Sequence, residues 1–225
     1  AGVCTTAWPC ATLLAATWDP ELTARVGAAA AAEVKENNIS VWLAPAVNIH
    51  RNPLCGRNFE YYSEDPLLTG KLAGAMVRGI QSQHIAATVK HFACNNKETN
   101  RKYSDSRLSQ RALREIYLRA FEIIVREEQP WAIMSSYNVM NGRRASESRE
   151  LLTDILRDEW GYTGMVMTDW WTRGEHYKEI LAGNDLKMAN GYPERVREAM
   201  RHGVVTRSDL TACAIRILAL VLRIE

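Results

Sequence analysis

Apolar runs and helical stripes alternate along this chain. Asp19-Pro20-Glu21 combines an N-cap, a first-turn proline and a first-turn acid, predicting a helix to about Glu36. The apolar run from Val41 to Val47 predicts a strand ending near Asn48. Asp65-Pro66 repeats the helix start, for a helix reaching about Gln83. Ile85 to Val89 predicts a second strand, closed by Lys90-His91. Ser109 opens a long helix whose buried face is Leu113, Ile116, Tyr117, Ala120, Phe121 and Ile124, by 3-and-4 spacing. Trp131 to Ser135 predicts a third strand, running into Ser136-Tyr137-Asn138. A helix from about Ser148 stops at Gly161. Met165 to Thr168 predicts a fourth strand, and Asp185 to Met188, after a short helix, a fifth. Thr206 caps a last helix whose expected buried face is Leu210, Cys213, Ala214, Ile217, Leu218 and Val221.

This alternation implies α/β architecture, a parallel sheet covered by helices. Polar residues collect where strands are expected to end: Asn48 to Arg57, Lys90-His91, Tyr137-Asn138 and Asp169. Barrels and doubly wound sheets both bind ligands at such ends. The Gly-rich phosphate loop normal in a doubly wound sheet does not occur. The expectation is therefore a (β/α)8 TIM-like barrel. About five strands are read where a barrel has eight in about 250 residues, so the barrel is expected to be truncated at its start. Residues 1–225 are expected to form one domain.

Composition narrows the function classes. The chain is 47% hydrophobic and 24% charged, with a net charge of +2. No nucleic-acid or anionic-membrane partner is implied, and no stretch approaches the roughly 20 apolar residues of a membrane span. The five cysteines, Cys4, Cys10, Cys55, Cys94 and Cys213, have irregular spacing and no CxxC. With no visible leader, they point to a reducing, cytoplasmic location. No metal-binding spacing occurs among the five histidines, and no cofactor is expected.

The chemistry concentrates at "GMVMTDWW", residues 164–171. Asp169 ends a buried run and is followed by Trp170 and Trp171. A bland reading makes it a helix N-cap. The tryptophans favour a carbohydrate pocket, because sugar C–H faces stack on indoles while hydroxyls need polar partners. Lys90-His91 supplies a cation and a directional donor, but a lysine there also suits a Schiff base. The loop "HRNPLCGRNFEYYSEDP" is long for a connection, and its Arg57 is suited to a bidentate clamp.

The segments "RNPLCGRNFEYYSEDP", "VKHFACNN", "RALREIYLRAFE", "IMSSYNVMNG", "LLTDILRDEWGYTGMVMTDWW" and "AGNDLKM" resemble, in order and over nearly the whole chain, the catalytic β/α domain of the family 3 glycoside hydrolases, the β-glucosidase family. The resemblance implies that Asp169 is the nucleophile of a retaining exo-acting β-glucosidase. It implies that Arg57, Lys90 and His91 bind hydroxyls of the −1 sugar, that Met134 and Tyr137 line the same pocket, and that Trp170 walls the leaving-group side. The partner it implies is a β-glucoside or oligosaccharide.

Two family parts are not found. An early Asp-Gly-Pro stretch is missing, and the acid/base glutamate, which the family's glucosidases take from a separate α/β sandwich domain, has no counterpart in the 225 residues. The β-N-acetylglucosaminidase branch carries a histidine on the loop after Lys-His-Phe; here that loop is "ACNNKETNRKYSDSR". Glu60, Glu98 and Glu175 read as ion-pair partners. A Lys90 Schiff-base aldolase and a non-catalytic sugar-binding domain stay open as alternatives.

Overall fold

The computed structural model describes residues 5–225, so Cys4 lies outside the described residues. After a short helix α1 (Ala11–Ala16), α2 (Pro20–Glu36) starts where expected. The Asp19 carboxylate accepts from Leu22 N–H at 2.9 Å. Strand β1 is only Val41–Trp42. The predicted run to Val47 does lie beside the next strand, through an Ala46–Lys90 bridge and a Val47 N–H to Lys90 carbonyl bond of 2.7 Å. Pro45 has no N–H to give a ladder, so the strand is interrupted. Helix α3 (Pro66–Gln81) is capped by Asp65, whose carboxylate accepts from Leu67 and Leu68. Its Gly79 sits so close to α2 that a Cβ there would fall 2.1 Å from the Ala24 carbonyl oxygen, a contact only glycine permits.

Strand β2 (Ala86–Phe92) is longer than expected and takes Lys90 and His91 into the ladder rather than past its end. After β3 (Asp105–Ser106), the predicted long helix is really α4 (Gln110–Ala112), a wide turn over Leu113–Tyr117, and α5 (Arg119–Glu128). The wide turn is closed by Leu118 N–H to the Leu113 carbonyl, an i→i+5 bond of 2.8 Å. One added residue rotates the rest of the helix by about 100°. Leu118 is therefore fully buried, while Ile116, expected in the core, is 41% exposed. Leu113, Ala120, Phe121 and Ile124 are buried as predicted.

Strands β4 (Ala132–Ser135), β5 (Val139–Met140) and β6 (Arg143–Arg144) come next, then a helix at Glu150–Glu159 that ends before Gly161, whose φ is +72°. Strand β7 (Met165–Thr168) has its predicted bounds. Helices α6 (His176–Ala182), α7 (Pro193–Arg201) and α8 (Arg207–Ile224) complete the chain. The expected fifth strand at Asp185 to Met188 is reduced to a parallel bridge between Met167 and Leu186.

The main sheet is parallel throughout, in the order β1-β2-β4-β7. Its order follows the sequence without reversal, so the topological switch of a doubly wound sheet is absent from these four strands. Side chains alternate between two clusters. Val89, Ile133 and Val166 join the large core under the helices. Ala86, Ala132, Met134, Met165 and Met167 face the other way, with Trp170, Met188 and, from α8, Ile217, Leu220 and Ile224. Helix α8 is capped by a reciprocal Thr206–Asp209 box as its sequence suggests. Its face differs from expectation: Cys213 and Leu220 are buried, but Ala214, Leu218 and Val221 are exposed. A three-stranded sheet, β3-β5-β6, ties the loop after β2 to the loop after β4.

Candidate active site

Parallel strands deliver their C-terminal ends to one edge, and Arg57, Lys90, His91, Tyr137 and Asp169 meet there, while Met134 lies within β4. Asp169 follows β7 directly, its N–H donating to the Ser135 carbonyl at the end of β4 (3.1 Å). It does not cap a helix, because α6 begins only at His176. Its Oδ1 accepts from Trp170 N–H at 2.7 Å. Its Oδ2 is buried without a hydrogen-bond partner among the described residues. The His91 Nε2 lies 3.7 Å from that oxygen.

His91 is itself tightly placed. Its N–H donates to Asn48 Oδ1 and its carbonyl accepts from Asn48 Nδ2, both at 2.9 Å. Its ring stands edge-on to Tyr61, with centroids 6.5 Å apart. Burial, reinforced by the charges of Arg57, Lys90 and Arg101, depresses its pKa well below the ordinary value. A neutral imidazole therefore faces the carboxylate, with Nδ1 unpartnered.

Arg57 donates through Nε to Glu60, and Lys90 Nζ lies 3.6 Å from the other Glu60 oxygen. Glu60 thus holds two cations at the wall of the site, in the ion-pair role expected of it. Glu98 similarly pairs with Arg101 (2.8 Å) and Glu175 with Arg195 (3.0 Å). Burial lowers the Lys90 pKa, which the Glu60 and Asp169 charges partly counter. Burial raises the Tyr137 pKa, and the Asp169 charge adds to it. The Tyr137 hydroxyl is near enough to stabilise the Asp169 anion. It still falls short of a hydrogen bond to Oδ2.

Burial raises the pKa of Asp169 above the ordinary aspartate value, and the Trp170 N–H, the Tyr137 hydroxyl, Arg57 and Arg101 oppose that rise. Desolvation outweighs the favourable charges. The two tryptophans also divide. Trp170 packs on the Met134, Met165 and Met167 side of the sheet, whereas Trp171 is 61% exposed with φ +52°. Met134 is buried beneath Trp170 rather than open at the surface.

Arg101 was not distinguishable in the sequence. Its guanidinium lies 4.6 Å above the Tyr137 ring, and Lys102 Nζ lies 5.0 Å from the same ring. Arg144 of β6 fixes the loop through a 3.1 Å bond to the Lys102 carbonyl. Nothing local separates Arg101 from the other charges of "NNKETNRKYSDSR"; the small sheet brings it in. Among the described residues, no group of His, Cys, Asp and Glu has metal-site geometry, and no helix is long and apolar enough to cross a membrane.

The arrangement is an unsatisfied carboxylate on a rigid strand end, ringed by neutral and cationic donors. Such a group can attack an electrophilic carbon while its neighbours bind hydroxyls. Comparison with known proteins gives it a setting. Residues 2–220 match the Glycosyl hydrolase family 3 N terminal domain. The chain is 64% identical over 209 residues to beta-glucosidase A of Butyrivibrio fibrisolvens, covering 93% of this chain and 25% of that protein. It is 47% identical over 210 residues to an exo-alpha-(1->6)-L-arabinopyranosidase of Bifidobacterium longum, covering 93% and 28%. The structure of beta-glucosidase 3B from Thermotoga neapolitana in complex with alpha-D-glucose superposes with a TM-score of 0.94 at 47% identity, covering 97% of this chain and 32% of that one. The chain thus spans about a quarter to a third of the length of these relatives.

Proposed function

The chain belongs to glycosyl hydrolase family 3, and from that premise we propose that it supplies the nucleophile and −1 subsite of a retaining exo-β-glucosidase. The observation that carries this reading is the buried, unpartnered Oδ2 of Asp169 facing His91. A buried carboxylate oxygen without a partner is costly. Here it is kept where a sugar carbon and its hydroxyls would replace the missing interactions. The four parallel strands are read as part of a (β/α)8 barrel, whose C-terminal face is where such sites lie.

In the proposed mechanism the β-glucoside lies with its anomeric carbon against Asp169 Oδ2. Arg57, Lys90 and His91 hold ring hydroxyls, Met134 and Tyr137 shape the pocket, and Trp170 walls the leaving-group side. The carboxylate attacks the anomeric carbon as the glycosidic C–O bond breaks. An acid protonates the departing oxygen, and water later releases the sugar with retention. That acid stands about 5–5.5 Å from the nucleophile in retaining enzymes. Glu60 and Glu98 are both engaged by arginines, which supports assigning the acid to a separate α/β sandwich domain.

The aldolase alternative is weaker. Lys90 has the lowered pKa such chemistry wants, but Glu60 and Asp169 face it, where hydroxyl binding needs a cation. The Bifidobacterium relative makes α-L-arabinopyranosides the second substrate to assay beside β-D-glucosides.

The test is azide rescue of Asp169→Gly with an activated aryl β-glucoside. Azide should enter the vacated face and give the α-glucosyl azide, the product of one inversion. Formation of the β-azide, or no rescue of an otherwise inactive variant, would count against Asp169 as nucleophile.

A further inference from the structure

A second polar cluster lies behind the segment that carries Asp169 and belongs to none of the roles above. Glu179 of α6 is fully buried, and Lys187 is 6% exposed. Lys187 Nζ donates to Glu179 Oε2 at 2.5 Å, to the Thr172 hydroxyl at 3.0 Å and to the Gly174 carbonyl at 3.1 Å. Glu179 Oε1 accepts from the Thr172 hydroxyl at 2.7 Å and from Ser146 Oγ at 2.9 Å. Gly174 presses on the same carboxylate: a Cβ there would lie 2.2 Å from Glu179 Oε1. The pair thus grips the chain three and five residues beyond Asp169.

The grip also reaches Asp169 from its other side. Thr168 N–H donates to the Leu186 carbonyl (2.9 Å), Met188 N–H to the Thr168 hydroxyl (2.9 Å) and Trp171 N–H to the Met188 carbonyl (3.0 Å). Lys187 sits in the middle of that three-residue strap. Asn184 links the cluster to β4, accepting from Ser135 Oγ at 2.8 Å and donating to the Ser146 carbonyl at 2.6 Å. Ser135 is the residue whose carbonyl receives the Asp169 N–H.

A buried ion pair is a poor source of net stability, since desolvating both charges offsets their attraction. A fully satisfied network does rigidify the segments it holds. We propose that the Glu179–Lys187 pair positions the Asp169–Trp171 segment, setting the rate of bond formation at the anomeric carbon without touching the sugar. This rests on the reading of Asp169 as nucleophile. These are positioning residues, and misplacing a nucleophile by about 1 Å costs on the order of 100-fold.

The experiment uses the full-length protein with two variants. Lys187→Met breaks the pair; Thr172→Val cuts the segment's hydroxyl tether and leaves the pair in place. Each is measured for kcat, for inactivation by a 2-deoxy-2-fluoro-β-glucoside and for competitive inhibition by glucose. Lys187→Met should lower kcat and the inactivation rate about 100-fold, and Thr172→Val about 10-fold. The glucose inhibition constant should stay within about threefold in both. If Thr172→Val keeps both rates within about twofold of wild type, the positioning role is wrong, even where Lys187→Met fails to fold. Glucose binding weakened in step with the rates would mark general loosening and also overturn it. A wild type that the fluoroglucoside does not inactivate would instead remove the nucleophile reading, and this inference with it.

Discussion

Two aspartates bracket β7, and both are almost fully buried, yet their surroundings are opposite. Asp185 sits beside the start of the strand. Its Oδ2 accepts from Val166 N–H (2.8 Å) and Arg157 (3.0 Å), and its Oδ1 from Arg216 (2.7 Å). Asp169 sits at the strand's other end with one backbone donor and a bare Oδ2. Burial raises the pKa of both. The direction of the shift therefore does not separate anchor from reagent. Hydrogen-bond satisfaction does: the saturated carboxylate has nothing left to offer a ligand, and the unsaturated one does.

Substituting each aspartate should break the comparison most sharply. Asp169→Asn keeps the shape but removes the attacking charge, and kcat should fall on the order of 10³-fold or more. Its stability should move the other way. A carboxyl whose folded pKa is raised keeps its proton in the native state after the unfolded chain has lost it. Stability then falls as pH rises from the unfolded value to the folded one. The variant lacks that loss, so at neutral pH its melting temperature should equal or exceed wild type. A clear drop would mean that Asp169 is an anchor too.

Asp185→Asn should do the reverse. It leaves Arg157, whose own pKa burial already depresses, facing a neutral amide. Breaking a buried pair in this way costs about 3 kcal/mol, read as a lower denaturant midpoint. The folded fraction should keep its catalytic constants.

A smaller effect sharpens the account of Asp169. Arg101 is among the charges that oppose the rise of its pKa. Arg101→Met removes that opposition, so the pKa should climb further. The acid limb of kcat/KM, which follows the ionised nucleophile, should move to higher pH; an unmoved limb would separate Arg101 from the site. The smallest effect is expected at the surface. Arg111 pairs with Glu115 at 3.0 Å, but both side chains are more than half exposed. Arg111→Ala should change stability by less than about 0.5 kcal/mol, measured by the same denaturant titration. A larger loss would show that pairing outside the core matters more than the Asp169–Asp185 contrast implies.

Much of this was legible in the sequence, for physical reasons that also mark where reading fails. The bounds of Met165 to Thr168 are legible because a short, mostly apolar run lies between Gly164 and Asp169. The polarity of Lys90 and His91 suggests a strand end in the sequence, but the ladder depends on backbone groups and continues to Phe92. Periodicity placed Ile116 in the core, but one i→i+5 turn shifted the phase and buried Leu118 instead. The two-residue strands β3, β5 and β6 carry no periodic signal, and with them went Arg101. Asp169 itself was found by its neighbours. Its unpartnered oxygen, the feature that separates it from Asp185, is a property of three dimensions alone.

The most direct test of the central claim is the site of covalent labelling. The full-length protein is treated with a 2-deoxy-2-fluoro-β-glucoside bearing a good leaving group, then analysed by intact mass and peptide mapping. One fluoroglucosyl adduct per chain is expected, an ester on Asp169 that Asp169→Asn abolishes. A label on another carboxyl, such as Glu60 or Asp185, would contradict it.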